Sequence, residues 1–467
     1  MNIYKTFTKQ FQTKQFQKKQ VGLEVELPFV QQLGEAIDYS LIQFLFLYLE
    51  KQGFQLVKDN NTITEATIVL TKLSKEKVFV TTDLGYSTLE IILPPFNNLY
   101  LADQCFKTII NYLLPFVNKH NCHLLGYGVH PLSLPSRRLL APQQRYKGLE
   151  KIWKTNKVVP RSMGNDAHLL TVSAGNQCHV DVSETEAIHA VNVLNASSGL
   201  QIALQANSPI WQGKIVKGYK AIREFFYDYL HDKAFQRHGV TPKFETLNQY
   251  FEHIYHQKLF LIIRNGKVLQ INDYDFATYM EEETVIGTQL NGEPITVTPN
   301  VDDIHYHNTL CYFNARLVPK YGTIEVRMPC QQPPNETMVT AALNLGLMEN
   351  LKEAEAYLSQ YDWETWQYLR TEAIKHTFDA KLPNGESIVP LIENLLIIAK
   401  SGLDKRGLNE AVFLNPLFER LEQRKSPADK AINIFNQKGI NGLLNLVRFT
   451  EFETETATPY SVLTSIQ

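Results

Sequence analysis

Val21-Gly22-Leu23-Glu24-Val25-Glu26-Leu27 alternates apolar and acidic side chains with a period of two. A β-strand sends successive side chains to opposite faces, so this spacing predicts a strand. Leu23, Val25 and Leu27 then share one face, and Glu24 and Glu26 share the other. Two neighbouring carboxylates repel unless water or a cation separates them. The segment alone fits a solvated strand face as readily as half of a cation site.

Three further clusters put charge where a strand would carry neutral residues. In Thr82-Asp83-Leu84-Gly85-Tyr86-Ser87-Thr88-Leu89-Glu90, Asp83 and Glu90 flank a polar turn, and Glu90 enters the apolar run Leu89 to Leu93. An acid in such a run needs a basic partner or a metal. In Asn176-Gln177-Cys178-His179-Val180-Asp181, alternation places Gln177, His179 and Asp181 on one face and Cys178 on the other. A histidine beside carboxylates suits a divalent metal, although a lone strand histidine can simply be hydrogen-bonded in place. Cys178 reads as core. Finally Arg316 precedes Thr323-Ile324-Glu325-Val326-Arg327, where Glu325 and Arg327 share a face. That pair reads as a cross-strand ion pair or as a phosphate-holding Arg beside a Mg²⁺-holding Glu.

Each cluster has an ordinary reading by itself. Five acids, a histidine and two arginines on at least four strands cannot all decorate a half-buried sheet. Together they predict a polar sheet face serving as an active-site floor. Hard carboxylate donors select Mg²⁺ or Mn²⁺ over zinc, and so many acids suit more than one ion and hence a triphosphate nucleotide. Neither a Gly-x-x-x-x-Gly-Lys-Ser/Thr loop nor a Gly-x-Gly-x-x-Gly fingerprint is present, so a nucleotide would bind through metals and arginines. A Gly-x-Ser-x-Gly elbow and a His-Glu-x-x-His helix are also missing.

Around these clusters, periodicity predicts helices at 35–52, 98–117, 143–156, 184–197, 199–206 and 219–231. Strands are predicted at 54–58, 63–71, 77–82, 88–93 (stopped by Pro94-Pro95), 122–129 and 169–183. Asn265-Gly266 marks a hairpin over 258–272, and 309–317 with 322–329 form a second strand pair. Residues 335–448 are almost wholly helical in period. Strands joined by turns and long helices, without regular βαβ alternation, predict an α+β protein with a largely antiparallel sheet. The expected division is a catalytic sheet-and-helix domain at 1–334 and a helical region at 335–467.

The 467 residues carry a formal net charge of −2, with 44% hydrophobic and 20% charged residues. That balance suits a globular chain and speaks against a dedicated nucleic-acid binder. Five scattered cysteines without a CxxC pair predict neither a disulfide scaffold nor structural zinc. No apolar stretch reaches membrane-spanning length, and the polar start is unlike a signal peptide. The expectation is a reduced, cytoplasmic protein, monomeric or homodimeric, acting on small molecules.

In this order the motifs resemble the glutamate–cysteine ligase family, carboxylate–amine ligases with a glutamine synthetase-like fold. The pieces are Gly22-Leu-Glu24-Val-Glu26, Asp83 with Glu90, Arg145-Tyr146, Gln177-Cys-His179-Val-Asp181, and Ala203-Leu-Gln-Ala-Asn207-Ser208-Pro209-Ile-Trp-Gln-Gly213. Gly218-Tyr219 with Arg223 follows, then Arg316 with Thr323-Ile-Glu325-Val-Arg327. The resemblance covers about residues 20–330. It implies an enzyme that phosphorylates the γ-carboxylate of glutamate with ATP, an amine then displacing phosphate, with cysteine as acceptor in a glutathione-type pathway. It also implies a curved antiparallel sheet whose concave face carries Mg²⁺ or Mn²⁺ on Glu24, Glu26, Asp83, Glu90, His179 and Glu325. Arg223, Arg316 and Arg327 would hold the transferring phosphate or the glutamate carboxylates. The Asn207-Ser208-Pro209 turn would shape the wall near the substrate. Some relatives carry His-x-His where this chain has Gln177-Cys-His179. Residues 233–307 and those after 335 match no motif and are expected to shape the amine pocket. A different amine acceptor, a silent binding subunit and a metal-dependent hydrolase are the competing readings.

Overall fold

The computed structural model describes residues 3–13, 18–59, 67–73, 78–230 and 237–453. Its main sheet is built around the strand quoted first, β1 (Val21–Gln31). The other strands are β2 (Phe54–Asp59), β3 (Thr67–Leu73), β4 (Val78–Thr82), β5 (Thr88–Phe96), β6 (Cys122–Leu124), β7 (Asn176–Asp181), β8 (Ala315–Val318) and β9 (Thr323–Val326). Their order is β8-β9-β7-β1-β5-β4-β3-β2, with β6 also paired to β1. Every one of these pairings is antiparallel. The fold is the α+β class with the largely antiparallel sheet that the sequence predicts.

Alternation decides which face is dry. Leu23, Val25, Leu27, Cys178, Val180, Ile324 and Val326 are buried in one continuous core with helices laid across them. Helix α1 (Leu99–Lys119) packs on β5 and β6, α2 (Glu184–Ala196) on β8 and β9, and α5 (Val339–Glu349) on β7 and β1. Asn98 starts α1 by accepting from the Tyr100 amide, satisfying one of the donors a helix N-terminus leaves open. Helix α3 (Ile222–Leu230) meets the opposite face through Arg223 beside Glu26, and residues 261–264, 267–270, 285–289 and 294–297 form a separate short antiparallel sheet. Its first hairpin turns at Asn265-Gly266, both with positive φ (50° and 74°), as a type I′ turn requires. From residue 339 the chain is mostly helical. Helix α4 (Ser198–Gln205) lies against α6 (Trp363–His376).

The structure corrects four boundaries. β5 does not stop at Pro94-Pro95. The register jumps from Leu23↔Leu93 to Val21↔Phe96, so a bulge absorbs the prolines, which have no amide to donate, and pairing resumes. The strand predicted over 122–129 ends at Leu124. Beyond it the amides of Leu125, Gly126 and Gly128 bond to Pro28, Val447 and Asn207 on three different segments. The strand predicted over 169–183 forms a ladder only at 176–181, with isolated bridges at Ser173 and Gly175, because residues 166–172 form 3₁₀ turns. There the Asp166 carboxylate accepts from the amides of Lys157, Val158 and Val159, a local alternative that outcompetes a ladder. The predicted pair 309–317 and 322–329 shortens to 315–318 and 323–326. Residues 63–66 of the predicted 63–71 strand lie outside the described residues.

Candidate active site

Register brings the charged clusters together. Directly opposite residues in antiparallel pairs share a face. Arg316 faces Glu325, Glu325 faces His179, and His179 faces Gly22. Glu24 faces Gln177 on one side and Ile92 on the other, while Glu26 faces Glu90, which faces Thr81. Three rungs therefore run across the sheet, and Asp83 joins them from the turn between β4 and β5, its amide bonded to Thr88 O.

At one end, His179 Nε2 lies 3.1 Å from Glu24 Oε1 and its Nδ1 3.2 Å from Thr323 Oγ1. Burial alone would lower the His179 pKa, but Glu24 and Glu325 outweigh it and raise it. Glu24, His179 and Glu325 each present one donor atom, all within 4.8 Å of one another. Glu325 is also the anchor of two arginines. Arg316 Nε and Nη2 both lie 2.8 Å from Oε2, and Arg327 Nη1 reaches Oε1. Burial would raise the Glu325 pKa, yet Arg316, Arg327 and His179 hold it far below the usual carboxylate range. The remaining Arg316 nitrogen donates to the carbonyls of Thr309 and Cys311, at 2.7 and 2.9 Å.

At the other end, Glu26 accepts from the Gly175 amide and from Gln177 Nε2. Burial and then Asp83 push Glu26 up to about 7, against the pull of Arg223. Burial also raises Asp83, and burial with Glu24, Asp83 and Glu26 raises Glu90 well above its ordinary value. Arg223 is 1% exposed, with Nη2 4.0 Å from Glu26 Oε2 and Nη1 donating to Arg327 O at 3.0 Å. Its amide donates to Ser208 Oγ at 3.2 Å, and Asn207 Nδ2 ties the same turn to Gly126 O and Gln331 O. The Asn207-Ser208-Pro209 turn thus seats Arg223.

All six predicted metal residues and all three predicted arginines belong to this one floor. Sequence reasoning passed over its wall. Arg223 lies 5.9 Å from the Tyr227 ring centre, Arg327 5.7 Å from Tyr312 and Arg145 5.8 Å from Tyr306. The Tyr227 and Tyr312 rings are 5.7 Å apart. Tyr227 follows Arg223 by four residues on α3, a spacing that puts both on one helix face and was the available signal.

The donor chemistry fits divalent cations. The carboxylates of buried Glu26 and half-buried Asp83 and Glu90 repel one another, three donors converge at the His179 end, and the buried Gln177 Oε1 has no partner among the described residues. A pH dependence follows. Glu26, Asp83 and Glu90 have folded-state pKa values above their unfolded values of 3.8–4.5. Each favours folding fully below those values and loses that contribution as pH rises through the folded one, about 7 for Glu26. Glu325 acts oppositely, stabilising above pH 4.5 and losing that only in acid. Cations bind the deprotonated carboxylates, so saturating Mg²⁺ is expected to raise the melting temperature by more at pH 7.5 than at pH 5.5. A Mg²⁺ shift that is absent, or equal at both pH values, would contradict this.

Residues 45–444 match the family model for glutamate–cysteine ligase family 2. The chain belongs to that family. Among its relatives, glutamate–cysteine ligase A, chloroplastic, of Oryza sativa subsp. indica is 25% identical over 323 residues, 67% of this chain and 61% of that protein. The chloroplastic glutamate–cysteine ligase of Arabidopsis thaliana is 24% identical over 319 residues, 67% and 57% of the two chains. The matched stretch thus spans about three fifths of the length of these curated relatives. The crystal structure of the Francisella tularensis glutamate–cysteine ligase in complex with AMP superposes with a TM-score of 0.55 at 14% identity. It covers 96% of this chain and 89% of that one, a likeness of fold. The glutamate–cysteine ligase family match begins after β1, and Glu24 and Glu26, outside it, lie on a strand paired with β5 and β7.

Proposed function

We propose that this protein is an ATP- and Mg²⁺-dependent ligase that activates the side-chain carboxylate of glutamate and joins it to the amino group of cysteine. The observation that carries the reading is one sheet face on which Glu24, His179 and Glu325 converge beside Glu26, Asp83 and Glu90, with Arg223 and Arg327 at its edge. Bound Mg²⁺ would neutralise phosphate charge and favour in-line phosphoryl transfer. The chain's residues supply the rest. Arg327 and Arg223 present fixed positive charge to anionic oxygens, the Arg223 head donating to the Arg327 carbonyl and the Arg327 head held by Glu325. Arg145 at the rim adds a third cation above Tyr306. Tyr227 and Tyr312 exclude water from this edge, which strengthens each charge there. Arg316 acts through Glu325, because its own nitrogens are engaged by protein acceptors.

Family membership supports the reaction class, and the AMP bound by the Francisella tularensis relative supports a nucleotide. A cytoplasmic setting is part of this reading. Among the described residues no helix is long and apolar enough to cross a membrane, and all five cysteines are free and buried.

The test is ADP release from ATP and Mg²⁺ with glutamate, across a panel of amines, with product mass determined. Glutamate-dependent ADP that rises only with cysteine and gives the γ-glutamylcysteine mass is expected. A rise with a different amine would retain the mechanism and replace the acceptor. No ATP turnover with any acid and amine would overturn the assignment.

A further inference from the structure

Arg370 belongs to helix α6, in the stretch where the sequence offered no motif, yet it is 6% exposed and makes five side-chain bonds. Its Nε and Nη2 donate to Glu224 Oε1 at 3.2 and 2.9 Å, and Nε also reaches Asn314 Oδ1 at 3.1 Å. Its Nη1 donates to the Asp228 carboxylate at 3.1 and 3.4 Å. Glu224 and Asp228 are four residues apart on α3, the helix that also carries Arg223 and Tyr227. Arg370 therefore clamps two acids on a single face of that helix. Asn314 extends the contact, because its Nδ2 also binds Glu224 and its carbonyl accepts from the Arg327 amide at 2.9 Å. The start of α3 is fastened to the same helix, the amides of Lys220 and Ala221 both donating to Ile374 O at 3.0 Å.

The charge arrangement gives the clamp a specific task. Arg223 lies between two carboxylates at equal distance, with Nη1 4.0 Å from Glu224 Oε2 and Nη2 4.0 Å from Glu26 Oε2. Glu224 is 3% exposed and cannot be left to solvent. Without Arg370, the nearest cation to Glu224 is Arg223, and a buried charge that loses its partner takes the next one. Asp228 is less dependent, since His238 Nε2 lies 2.8 Å from its Oδ1.

We propose that Arg370 is a positioning residue of the ligase reaction: by neutralising Glu224 it keeps Arg223 directed at Glu26 and the substrate, and through Asn314 it fixes the backbone of Arg327 just beyond β9. This rests on the ligase reading above. It adds a contribution to the site from the C-terminal helices, far along the chain from every charged cluster on the sheet.

The test is a double-mutant cycle read as kcat and KM for glutamate at saturating ATP and Mg²⁺, with melting temperature measured in parallel. R370Q is expected to lower kcat/KM for glutamate by roughly 10- to 100-fold, the scale of a misplaced substrate-orienting group. In R370Q/E224Q the competing carboxylate is gone, so most of that loss is expected to return even if the melting temperature stays low. Should R370Q fail to fold, E224Q and E224Q/R370Q decide, because the proposal requires these two to differ by less than about threefold. R370Q with wild-type kinetics, or a double variant as impaired as R370Q alone, would overturn the proposal. If the wild-type protein itself shows no glutamate-dependent ATP turnover, it is the ligase reading that fails, and the cycle is not reached.

Discussion

Glu325→Ala is expected to reduce glutamate-dependent ADP release by on the order of 10³-fold and to lower folding stability by roughly 3–5 kcal/mol. Both losses have one cause. Glu325 is 1% exposed and accepts from Arg316 and Arg327, while His179 sits directly opposite on β7. Removing its carboxylate leaves the buried Arg316 and half-buried Arg327 guanidinium groups and an imidazole of raised pKa with too little negative charge among them. Arg327 then has no anchor on the floor, and the convergent donor set loses one of its three members. Glu325→Gln keeps the volume but not the charge, so it is expected to recover some stability and little turnover. Turnover within tenfold of wild type in the alanine variant, at unchanged melting temperature, would show that Glu325 neither anchors the arginines nor serves the reaction.

Gly175→Ala is expected to cost about 10²-fold in turnover, the scale set by a small displacement of a positioned group. A methyl at this position would lie 2.2 Å from Arg223 Nη2 and 2.8 Å from its Cζ. Arg223 cannot simply swing aside, being enclosed between Glu26, Glu224 and the Arg327 carbonyl. Nor can the backbone retreat easily, because Gly175 N donates to Glu26 Oε2 and Gly175 O accepts from Glu26 N at 3.0 Å. The overpacking itself is expected to destabilise by about 1–3 kcal/mol. If the damage passes through Arg223, then G175A/R223M should be no slower than R223M alone. An additive double variant, or a G175A protein with wild-type rates, would refute the mechanism.

The carboxylate pattern was readable because strand geometry is local. Period two put Glu24 with Glu26 and His179 with Gln177 whatever the rest of the chain did, and register then placed them on common rungs. Cys178 fell on the dry face for the same reason, and burial raises its thiol pKa well above the ordinary value. What could not be read was set by distant partners. The bulge that carries β5 past Pro94-Pro95 depends on β1, and the end of β6 on amides captured by three remote segments. Arg370 is the sharpest case. Within Gln367-Tyr368-Leu369-Arg370-Thr371 it looks like a solvated helix charge, and only its partners at Glu224 and Asp228, more than 140 residues earlier, bury it. Arg316 similarly reads as a phosphate ligand until the carbonyls of Thr309 and Cys311 are seen to occupy it.

The central position of β1 has a consequence for how the protein is made. Its partners arrive later: β5 ends at Phe96, β6 at Leu124, and β7 is not complete until Asp181. During synthesis the strand bearing Glu24 and Glu26 therefore emerges before these partners and waits until β7 is made before its second edge is covered. Such pairings of high sequence separation carry a large loop-closure entropy and form slowly. The two acids are themselves the protection for that interval, since a strand charged on alternate residues resists adding itself to a neighbouring chain. The side chains that would hold cations in the finished protein thus also keep the nascent one from aggregating.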